Sequence, residues 1–352
     1  MRIGLDATPL LGARTGIGRY TGALLEALAR SGSDELVATA FTLRGRGALR
    51  VPPGVEVRAR AVPARGLQEL WARTPLPPVE WLTGRLDVFH ATNFVLPPLR
   101  RAGGVVTVHD LAFLHHTSTV SAASARYRAL VPRSIARAAV IVTPSQAVAE
   151  QVREAYDPRV PVLAVPHGVD PAWQTAAPPD PTLRARLGLP SSYVLFVGTL
   201  EPRKDVRTLL AAHALLPDAP PLVLVGPPGW GDALDVRGAV TPGFLGDDDL
   251  RPVVAGASAL VLPSRDEGFG LPVLEAMAAG TPVVASDLPV LREVGGALAE
   301  YAPVGDAEAF ADALRRVLHT PGDAAARRAR AAGFTWAGSA EGHRTAYGLA
   351  AS

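Results

Sequence analysis

The stretch Pro263–Gly280 constrains the fold more than any other part of the sequence. It follows a dense apolar run, Ala259–Leu262, which is typical of a buried parallel strand. Gly268 and Gly270 then allow a tight turn with exposed backbone. Pro272 suits the first residue of a helix, and the final glycine suits the residue just past its end. The pattern therefore predicts a strand, a glycine turn and a helix.

Two glutamates flank the N-terminus of this predicted helix, Glu267 on the turn and Glu275 in the first helical turn. A helix N-terminus offers N–H groups and partial positive charge, which suit a phosphate. Because carboxylates repel phosphate, we expect the two glutamates to accept hydrogen bonds from hydroxyls beside it, such as those of a sugar and a ribose. The alternative is that both are solvated or cap the helix.

The fourteen residues Glu-Gly-Phe-Gly-Leu-Pro-x-Leu-Glu-Ala-Met-Ala-x-Gly at 267–280 closely resemble the nucleotide-sugar site of glycosyltransferase family 4, whose members are retaining enzymes. A second motif of that family, Gly-Thr-Leu-Glu-Pro-Arg-Lys, occupies 198–204. The resemblance implies an α/β protein of GT-B fold with two Rossmann-like domains facing across a cleft. Residues 1–167 would form the acceptor-side domain and 168–335 the nucleotide-sugar domain, with the C-terminal helix 336–352 crossing back to pack on the first.

The second motif places two cations side by side, Arg203 and Lys204. They would neutralise the leaving diphosphate, Arg203 by a planar fork and Lys204 as a compact charge. Of the 35 Lys plus Arg residues, 34 are arginine, so the single lysine suggests a position that a guanidinium would not fit. Asp205 stands where the family commonly has asparagine, and we expect it to serve as a cap.

The resemblance implies further contacts with the donor. Glu267 and the backbone N–H groups of Phe269 and Gly270 would hold the donor sugar, and Glu275 would hold the ribose. Thr199, Leu245 and Leu271 would also line the nucleotide-sugar site, Leu245 by meeting the base through its backbone. His109, the last residue of a predicted strand Gly104–His109, would contact the donor sugar, whereas its alternative role is structural. His167 replaces the usual asparagine of the Pro-Asn-Gly-Val-Asp motif, which leaves the contacts of that residue open.

Near the N-terminus, Gly16 and Gly18 precede a predicted helix Thr21–Ala29, and Gly22 lies in its first turn. In the family this glycine loop donates backbone N–H groups to the donor diphosphate. Their spacing also resembles a dinucleotide fingerprint, but about nine residues separate them from the first strand, Arg2–Asp6. With Arg44 after the next strand, an NADP-dependent oxidoreductase remains an alternative function, as does a non-catalytic protein that binds nucleotide sugars.

Three consecutive acids, Asp247–Asp249, invite a metal-binding Asp-x-Asp interpretation. They stand at the predicted start of a helix, where aspartates cap and complement the helix dipole, so we predict capping and no metal site.

Charge is divided unevenly along the chain. Residues 1–167 carry 20 arginines and 12 acids, a net charge of +8, whereas 168–352 carry 15 basic residues and 21 acids, a net charge of −6. The basic half predicts an anionic partner such as a lipid phosphate or a membrane surface. Arg126, Arg133 and Arg137 share one face of a predicted helix, Ser121–Ala138, kinked at Pro132; this face is either solvated or in contact with membrane or acceptor phosphate.

Other classes of protein are disfavoured. The chain has no cysteine, which excludes disulfides and thiolate metal sites. We find no nucleic-acid recognition motif, no signal peptide and no apolar run of about eighteen residues, so we expect a cytoplasmic protein that is at most peripheral at the inner face of the membrane.

Together these features predict a metal-independent retaining hexosyltransferase. The donor would be a nucleoside-diphosphate sugar, and GDP-mannose is favoured because Thr-Gly-Ile-Gly-Arg-Tyr-Thr at 15–21 and Val-His-Asp-Leu-Ala-Phe at 108–113 recur in mannosyltransferases of surface polysaccharide assembly. No cofactor is expected. The acceptor would be a hydroxyl of a glycan or a lipid-linked molecule.

Overall fold

The computed structural model describes residues 1–12, 16–43, 49–115, 126–231 and 234–352. Within these ranges the chain forms two compact α/β units. Unit 1 contains residues 1–115, 126–168 and 335–352, and unit 2 contains residues 169–334.

Unit 1 is built on a seven-stranded parallel sheet in the order β3-β2-β1-β4-β5-β6-β7. Its strands are β1 Arg2–Asp6, β2 Glu35–Phe41, β3 Glu56–Arg60, β4 Val88–Ala91, β5 Gly103–Thr107, β6 Val140–Thr143 and β7 Val162–Ala164. The chain order reverses between β1 and β4, so the topological switch point of the sheet lies there. Open α/β sheets bind their ligands outside the carboxyl ends of the strands at such a point.

Helices cover both faces of this sheet and bury two apolar clusters against it. They are α1 Gly16–Ser31, α2 Ala64–Arg73, α3 Glu80–Thr83, α4 Ala112–His115, α5 Tyr127–Arg137 and α6 Gln146–Tyr156, and the chain's last helix, α14 Trp336–Ala351, returns to pack on α1 and on β4, β5 and β6. Gly103 is required for this docking, because a Cβ there would lie 1.8 Å from the carbonyl oxygen of Ala350.

Unit 2 holds a six-stranded parallel sheet in the order β10-β9-β8-β11-β12-β13. Its strands are β8 Val194–Val197, β9 Leu222–Val225, β10 Val240–Gly243, β11 Ala259–Leu262, β12 Val283–Ser286 and β13 Glu300–Ala302. Its helices are α7 Pro181–Leu187, α8 Val206–Ala214, α9 Asp247–Ala255, α10 Leu271–Ala279, α11 Pro289–Gly295, α12 Ala307–His319 and α13 Ala324–Ala332. The switch point of this sheet lies between β8 and β11.

A buried chain of hydroxyl and imidazole groups attaches α14 to unit 1. We call it the relay, and it consists of Tyr347, His90, Thr107, Tyr20 and His343, each at most 1% exposed. His90 lies on β4, Thr107 on β5 and Tyr20 on α1, so both ends of the relay belong to the C-terminal helix.

The proton positions in the relay follow from the backbone carbonyl group of Ser339, which is hydrogen-bonded to the His343 end of the relay. Nδ1 of His343 lies 2.7 Å from the carbonyl oxygen of Ser339, which can only accept, so Nδ1 carries the proton and Nε2 accepts from the Tyr20 hydroxyl at 2.8 Å. Tyr20 then accepts from Thr107 at 3.0 Å, and Thr107 accepts from Nε2 of His90 at 2.7 Å. Tyr347 donates to Nδ1 of His90 at 2.9 Å. One neutral arrangement thus satisfies every member.

The predicted arginine face of the helix at 121–138 is only partly correct. Residues 121–125 lie outside the described ranges, and α5 begins at Tyr127. Arg137 is only partly exposed, and its guanidinium donates to the carbonyl oxygens of Trp71 at 2.8 Å and Leu96 at 3.4 Å. It joins α5 to neighbouring segments of unit 1. Across the described residues, every helix is too short or too polar to span a bilayer.

Candidate functional site

Charged side chains gather at the switch point of unit 2. The segment Leu200–Lys204 follows β8 and ends in a 3₁₀ turn at Pro202–Lys204, and the segment Pro263–Glu267 follows β11. The backbone N–H of Arg265 donates to the carbonyl oxygen of Arg203 at 2.8 Å, which joins the two segments. We call Glu201, Arg203, Lys204 and Glu267 the charge cluster.

Lys204 and Glu267 form the tightest contact of the charge cluster. The Lys204 ammonium lies 2.6 Å from Oε1 of Glu267, and the Ser264 hydroxyl donates to the same oxygen at 2.7 Å. Although burial pushes the pKa of Glu267 upward, the nearby Lys204 and Arg203 charges and these hydrogen bonds hold it below its usual value. Glu267 is therefore a carboxylate at neutral pH and can accept hydrogen bonds from hydroxyls.

Arg203 is oriented by three groups. Its guanidinium lies 2.8 Å from Oε1 of Glu201 and donates to the carbonyl oxygen of Asp266 at 2.9 Å, and Oε2 of Glu267 lies 3.8 Å away. Fixing a guanidinium in this way reduces the entropy lost when it binds an anion.

The charge cluster is electrically balanced, with two cations and two carboxylates, and all four side chains are at most one-fifth exposed. Removing such charges from water is expensive, and an apolar cluster of similar volume would be no less stable. An arrangement of this kind presents cations suited to phosphate beside carboxylates suited to hydroxyls. Those are the two kinds of group in a sugar phosphate.

A second ion pair lies beside the cluster. Asp205, in the left-handed conformation at φ 47°, follows the 3₁₀ turn and accepts from Arg265 and Thr208, each at 2.9 Å. As the residue that links this turn to the start of α8, Asp205 binds the helix by its side chain to Thr208. Asp205 is therefore the N-cap residue by position, but the prediction that its side chain caps the helix is wrong, because it accepts from no backbone N–H of α8.

Helix α10 corrects the predicted position of Glu275. The helix begins at Leu271, with Gly270 as its N-cap, so Glu275 lies in the second turn instead of the first. Glu275 is only 4% exposed, because nearly every residue of α10 from Val273 onward is buried. The interpretation that both glutamates are solvated is therefore wrong.

Gly270 is required both by its conformation and by its surroundings. Its φ is 91°, and a Cβ there would lie 2.5 Å from Cδ2 of Leu291. Phe269 is buried and its ring meets Phe334 edge-on, at 6.0 Å between ring centroids. These contacts fix the turn that carries the backbone from Glu267 into α10, including Leu271 at the first helical position.

The other residues predicted in unit 2 lie after neighbouring strands. Thr199 follows β8, and its carbonyl oxygen accepts from the N–H of Glu201 at 2.8 Å. Leu245 is buried after β10. Asp247–Asp249 form the first turn of α9, where their charges complement the helix dipole as predicted, and Asp249 is paired with Arg186 at 2.6 Å. The predicted capping is wrong, because Gly246 is the N-cap and makes no side-chain capping bond. The described residues contain no group of three or more acids or histidines that could hold a metal ion.

Three predicted residues lie in unit 1. His109 follows β5 by two residues and is buried, and its Nε2 donates to the carbonyl oxygen of Thr92 at 2.8 Å. Burial lowers the pKa of His109, so the ring is neutral at pH 7. Gly16 and Gly18 do not form a loop before a helix at Thr21, because α1 already begins at Gly16. Gly18 is buried and Gly16 exposed.

The structure therefore brings together Arg203, Lys204 and Glu267 as predicted, and places Phe269, Gly270, Leu271 and Glu275 directly after them. Sequence reasoning missed Glu201 and Ser264, which hold Arg203 and Glu267. Glu201 lies in the motif at 198–204 and Ser264 in the stretch Pro263–Gly280, so both could have been found as neighbours of the predicted residues. Nothing in the sequence distinguishes their roles.

Comparison with known proteins agrees with this geometry. Residues 14–173 match the model of the family described as Glycosyltransferase Family 4, and residues 191–320 match that of Glycosyl transferases group 1. A D-inositol 3-phosphate glycosyltransferase of Actinosynnema mirum is 33% identical over 306 residues, which cover 77% of this chain and 71% of that protein. The chain belongs to glycosyltransferase family 4.

Other relatives of this family 4 protein differ in name. The O-antigen chain mannosyltransferase B of Escherichia coli is 33% identical over 241 residues, which cover 63% of each protein. A glycogen synthase of Mycobacterium tuberculosis is 30% identical over 283 residues, covering 76% of this chain and 65% of that one. The chain thus spans slightly under two thirds of the length of these two relatives.

Solved structures show the fold. Sucrose-phosphate synthase from Thermosynechococcus elongatus superposes with a TM-score of 0.77 at 21% identity, and HepE of Anabaena, in complex with UDP and glucose, with a TM-score of 0.70 at 18% identity. Each comparison covers 98% of both chains. The predicted fold class is confirmed: the family 4 protein has the GT-B fold, and its C-terminal helix returns to the first unit.

Proposed function

We propose that this protein transfers a hexosyl unit from a nucleoside-diphosphate sugar to a hydroxyl of a glycan or lipid-linked acceptor, with retention of anomeric configuration. The observation that carries the proposal is the charge cluster at the switch point of unit 2, which holds two oriented cations beside an ionised carboxylate. GDP-mannose is the favoured donor. The two O-antigen mannosyltransferases among the relatives, at 33% and 27% identity, support this choice.

Lys204 suits the role of binding the leaving diphosphate. An ammonium has three N–H donors, and the bond to Glu267 uses one of them, so Lys204 can donate to a phosphate oxygen while it remains paired. Arg203 adds a planar donor whose direction is already fixed. Preorganised donors of this kind stabilise the charge that develops on a departing phosphate without reorganisation.

Glu267 suits the role of positioning the sugar. Its Oε1 accepts from both Lys204 and Ser264, whereas its Oε2 lies 3.8 Å from the Arg203 guanidinium, which is longer than a hydrogen bond. A sugar hydroxyl that donates to this carboxylate would lie next to the cations that bind the phosphate. Glu275 would hold the ribose from its place on α10, and Phe269 and Gly270 would donate backbone N–H groups.

We further propose that the reaction needs no added metal ion, because two cations already stand where a metal would neutralise the diphosphate. The test is donor turnover in excess EDTA, which should equal turnover without it. Turnover that is lost in EDTA and restored by magnesium or manganese would contradict this part of the proposal.

The decisive experiment for the function is a titration of the purified protein with GDP, UDP, ADP and their sugars. Binding is measured by the rise in melting temperature and by calorimetry. We expect GDP and GDP-mannose to bind tightest and GDP-mannose to be hydrolysed slowly without acceptor. Binding of NADPH and of no nucleotide sugar would establish the oxidoreductase alternative. Tight donor binding with no hydrolysis or transfer would establish a non-catalytic binding protein.

Peripheral contact with an anionic membrane is also proposed, on the net charge of +8 over residues 1–167. Co-sedimentation with phosphatidylglycerol vesicles that decreases with salt would support it. Equal sedimentation with neutral phosphatidylcholine vesicles would contradict it.

A further inference from the structure

A pocket opens at the switch point of unit 1, between the carboxyl ends of β1 and β4. Its volume is about 140 Å³, and it is lined at the strand ends by Asp6 and Asn93 and on its sides by mostly apolar groups, with Thr8 and Gln68 among them. The Thr92 hydroxyl donates to the carbonyl oxygen of Asp6 at 2.6 Å, which holds the two strand ends together. The pocket thus occupies the position in unit 1 that the charge cluster occupies in unit 2.

Both polar groups at the strand ends can accept hydrogen bonds. Oδ1 of Asp6 accepts from the backbone N–H of Thr8 at 3.0 Å, yet burial still raises the pKa of this carboxyl above its usual value. Oδ1 of Asn93 is buried and receives no hydrogen bond from any described residue. Buried acceptors of this kind are uncommon in native proteins and call for an explanation. A ligand that brings hydroxyl donors would satisfy both.

The sides of the pocket are aromatic. Phe41 and Trp71 meet edge-to-face at 5.6 Å between ring centroids, and Phe89 lies with them in the lining. The indole N–H of Trp71 already donates to the carbonyl oxygen of Pro77 at 2.9 Å, so the ring offers the pocket an apolar surface. Acceptor oxygens above apolar carbon suit a molecule with hydroxyls on one edge and C–H groups on the other.

The backbone beside Asn93 is held in an uncommon conformation. Phe94 has a φ of 60°, which is rare for a bulky residue, and its N–H donates to the carbonyl oxygen of Thr107 at 3.0 Å. Its ring packs on His109, Phe113 and Tyr127 at 4.6–5.8 Å between centroids. Strained residues gather at binding sites, where the surrounding structure maintains them. Here the strained residue, Phe94, directly follows Asn93, which lines the pocket.

We propose that this pocket binds a hydroxyl-bearing edge of the acceptor's terminal sugar, with Asp6 and Asn93 accepting hydrogen bonds from its hydroxyls. This inference rests on the proposed transferase function and adds to it the chemistry of the acceptor. Among the described residues that line the pocket there is no lysine, arginine or histidine to bind an anion, so the group recognised is a neutral polyol and not a phosphate. A volume of 140 Å³ corresponds to about four or five water molecules, which suits part of a pyranose ring with the remainder outside.

The test uses the full chain and four neutral probes, the methyl glycosides of mannose, glucose, galactose and N-acetylglucosamine, beside mannose 1-phosphate as an anionic probe. Saturation-transfer NMR titrations, run with saturating GDP so that its diphosphate occupies the charge cluster, give the affinity of each for the pocket. We expect at least one neutral glycoside to bind more tightly than the phosphate ester. The variant Asp6→Asn should weaken that glycoside at least about tenfold, because one of the two carboxyl oxygens that can accept from a sugar hydroxyl becomes an N–H donor.

Two further variants separate binding from folding. Ala64→Phe adds a ring at a residue that lines the same pocket and leaves Asp6 and Asn93 unsubstituted. It should abolish glycoside binding while the melting temperature changes little. Asp157→Asn is the matched control, because Asp157 ends α6 on the surface of unit 1 in a left-handed conformation that asparagine also adopts. It should bind every probe like the wild type.

Calorimetry with GDP in parallel distinguishes the two levels of the proposal. If GDP binds but no neutral glycoside does, or if Asp6→Asn and Ala64→Phe bind glycosides like the wild type, the pocket assignment is overturned and the transferase function stands. Tighter binding of mannose 1-phosphate overturns the proposed acceptor chemistry. If neither GDP nor any other nucleotide binds, the transferase function itself is overturned.

Discussion

The charge cluster of unit 2 and the relay of unit 1 solve the problem of buried polar groups in opposite ways. The relay is neutral, nearly inaccessible to solvent and satisfied in one proton arrangement, so it costs little to bury and fixes α14 on the sheet. The charge cluster keeps two cations and two carboxylates partly buried at the ligand-binding edge of its sheet. Burial of charges contributes little to stability. The comparison supports the proposal that the relay serves the fold and that the cluster serves binding and catalysis.

The largest effect that this comparison predicts is on turnover. Lys204→Met removes the nearest cation of Glu267 and of the proposed diphosphate, so turnover should fall at least about a hundredfold, which is the usual cost of losing one preorganised donor. Steady-state kinetics with the donor give the answer. Lys204→Arg is the matched variant that keeps the charge, and it should also lose activity because a planar fork cannot replace a compact ammonium. Normal kinetics in both variants would leave the single lysine without a function.

The relay should make stability depend on pH. Burial lowers the pKa of His343 from 6.5 to about 4 and that of His90 well below 6.5, so only the unfolded chain takes up these protons as the pH falls through 6.5. Stability is therefore complete above pH 6.5 and decreases between 6.5 and about 4. His343 alone should cost about 2 kcal/mol between pH 7.5 and 5, measured by urea unfolding.

The control for this pH dependence is His319→Asn, which removes an exposed histidine of α12 that lies outside the relay. The charge cluster belongs to a lower pH range, because the lowered pKa of Glu267 contributes stability that is lost only below about 4.5. A stability that is flat from pH 7.5 to 5 would show that the relay histidines are already protonated in the folded protein.

A smaller effect is expected when the relay is opened at its centre. Tyr20→Phe removes a hydroxyl that donates to His343 and accepts from Thr107, so the free energy of unfolding should fall by about 1–2 kcal/mol. Tyr347→Phe removes one donor at the end of the relay and should cost less. GDP affinity, measured by calorimetry, should remain unchanged in both. A loss of GDP affinity without a loss of stability would reverse the roles assigned to the two regions.

The smallest effect is predicted for a charged pair that lies at the surface. Arg316 lies 2.9 Å from Glu300 with both side chains more than two-fifths exposed. Arg316→Gln should change the free energy of unfolding by about 0.5 kcal/mol or less, because solvent screens such pairs. A loss above about 1 kcal/mol would show that ion pairs stabilise this protein more than the comparison allows.

Much of the fold could be predicted because buried parallel strands appear in the sequence as dense apolar runs. β11 is an example, since the predicted strand Ala259–Leu262 is observed with the same bounds. The edge strand β13 could not be predicted, because its three residues, Glu-Tyr-Ala, carry no such signal. Nor does the sequence show that Arg327 of α13 donates to the carbonyl oxygen of Gly280 at the end of α10.

The charge cluster could be predicted because its members lie in two contiguous motifs. Its internal pairing could not, since the partners Lys204 and Glu267 are 63 residues apart and only the folded chain brings them together. The relay was missed entirely. Its residues come from four separate elements, and the hydrogen bond from Tyr20 to His343 spans 323 residues. A single histidine on an apolar strand or helix carries no sign of such a partner.

The central claim is that the cluster and α10 form the nucleotide-sugar site, with Glu275 on the ribose and Glu267 on the sugar. Calorimetric titration of Glu275→Ala and Glu267→Ala with GDP, beside donor turnover, tests it most directly. Glu275→Ala should weaken GDP by about 1–3 kcal/mol, because the ribose is part of GDP itself. Glu267→Ala should bind GDP almost like the wild type while its turnover falls much further, since the reacting sugar loses its position. Equal losses of GDP affinity in the two variants would contradict the assignment, and unchanged affinity and turnover in both would contradict the site.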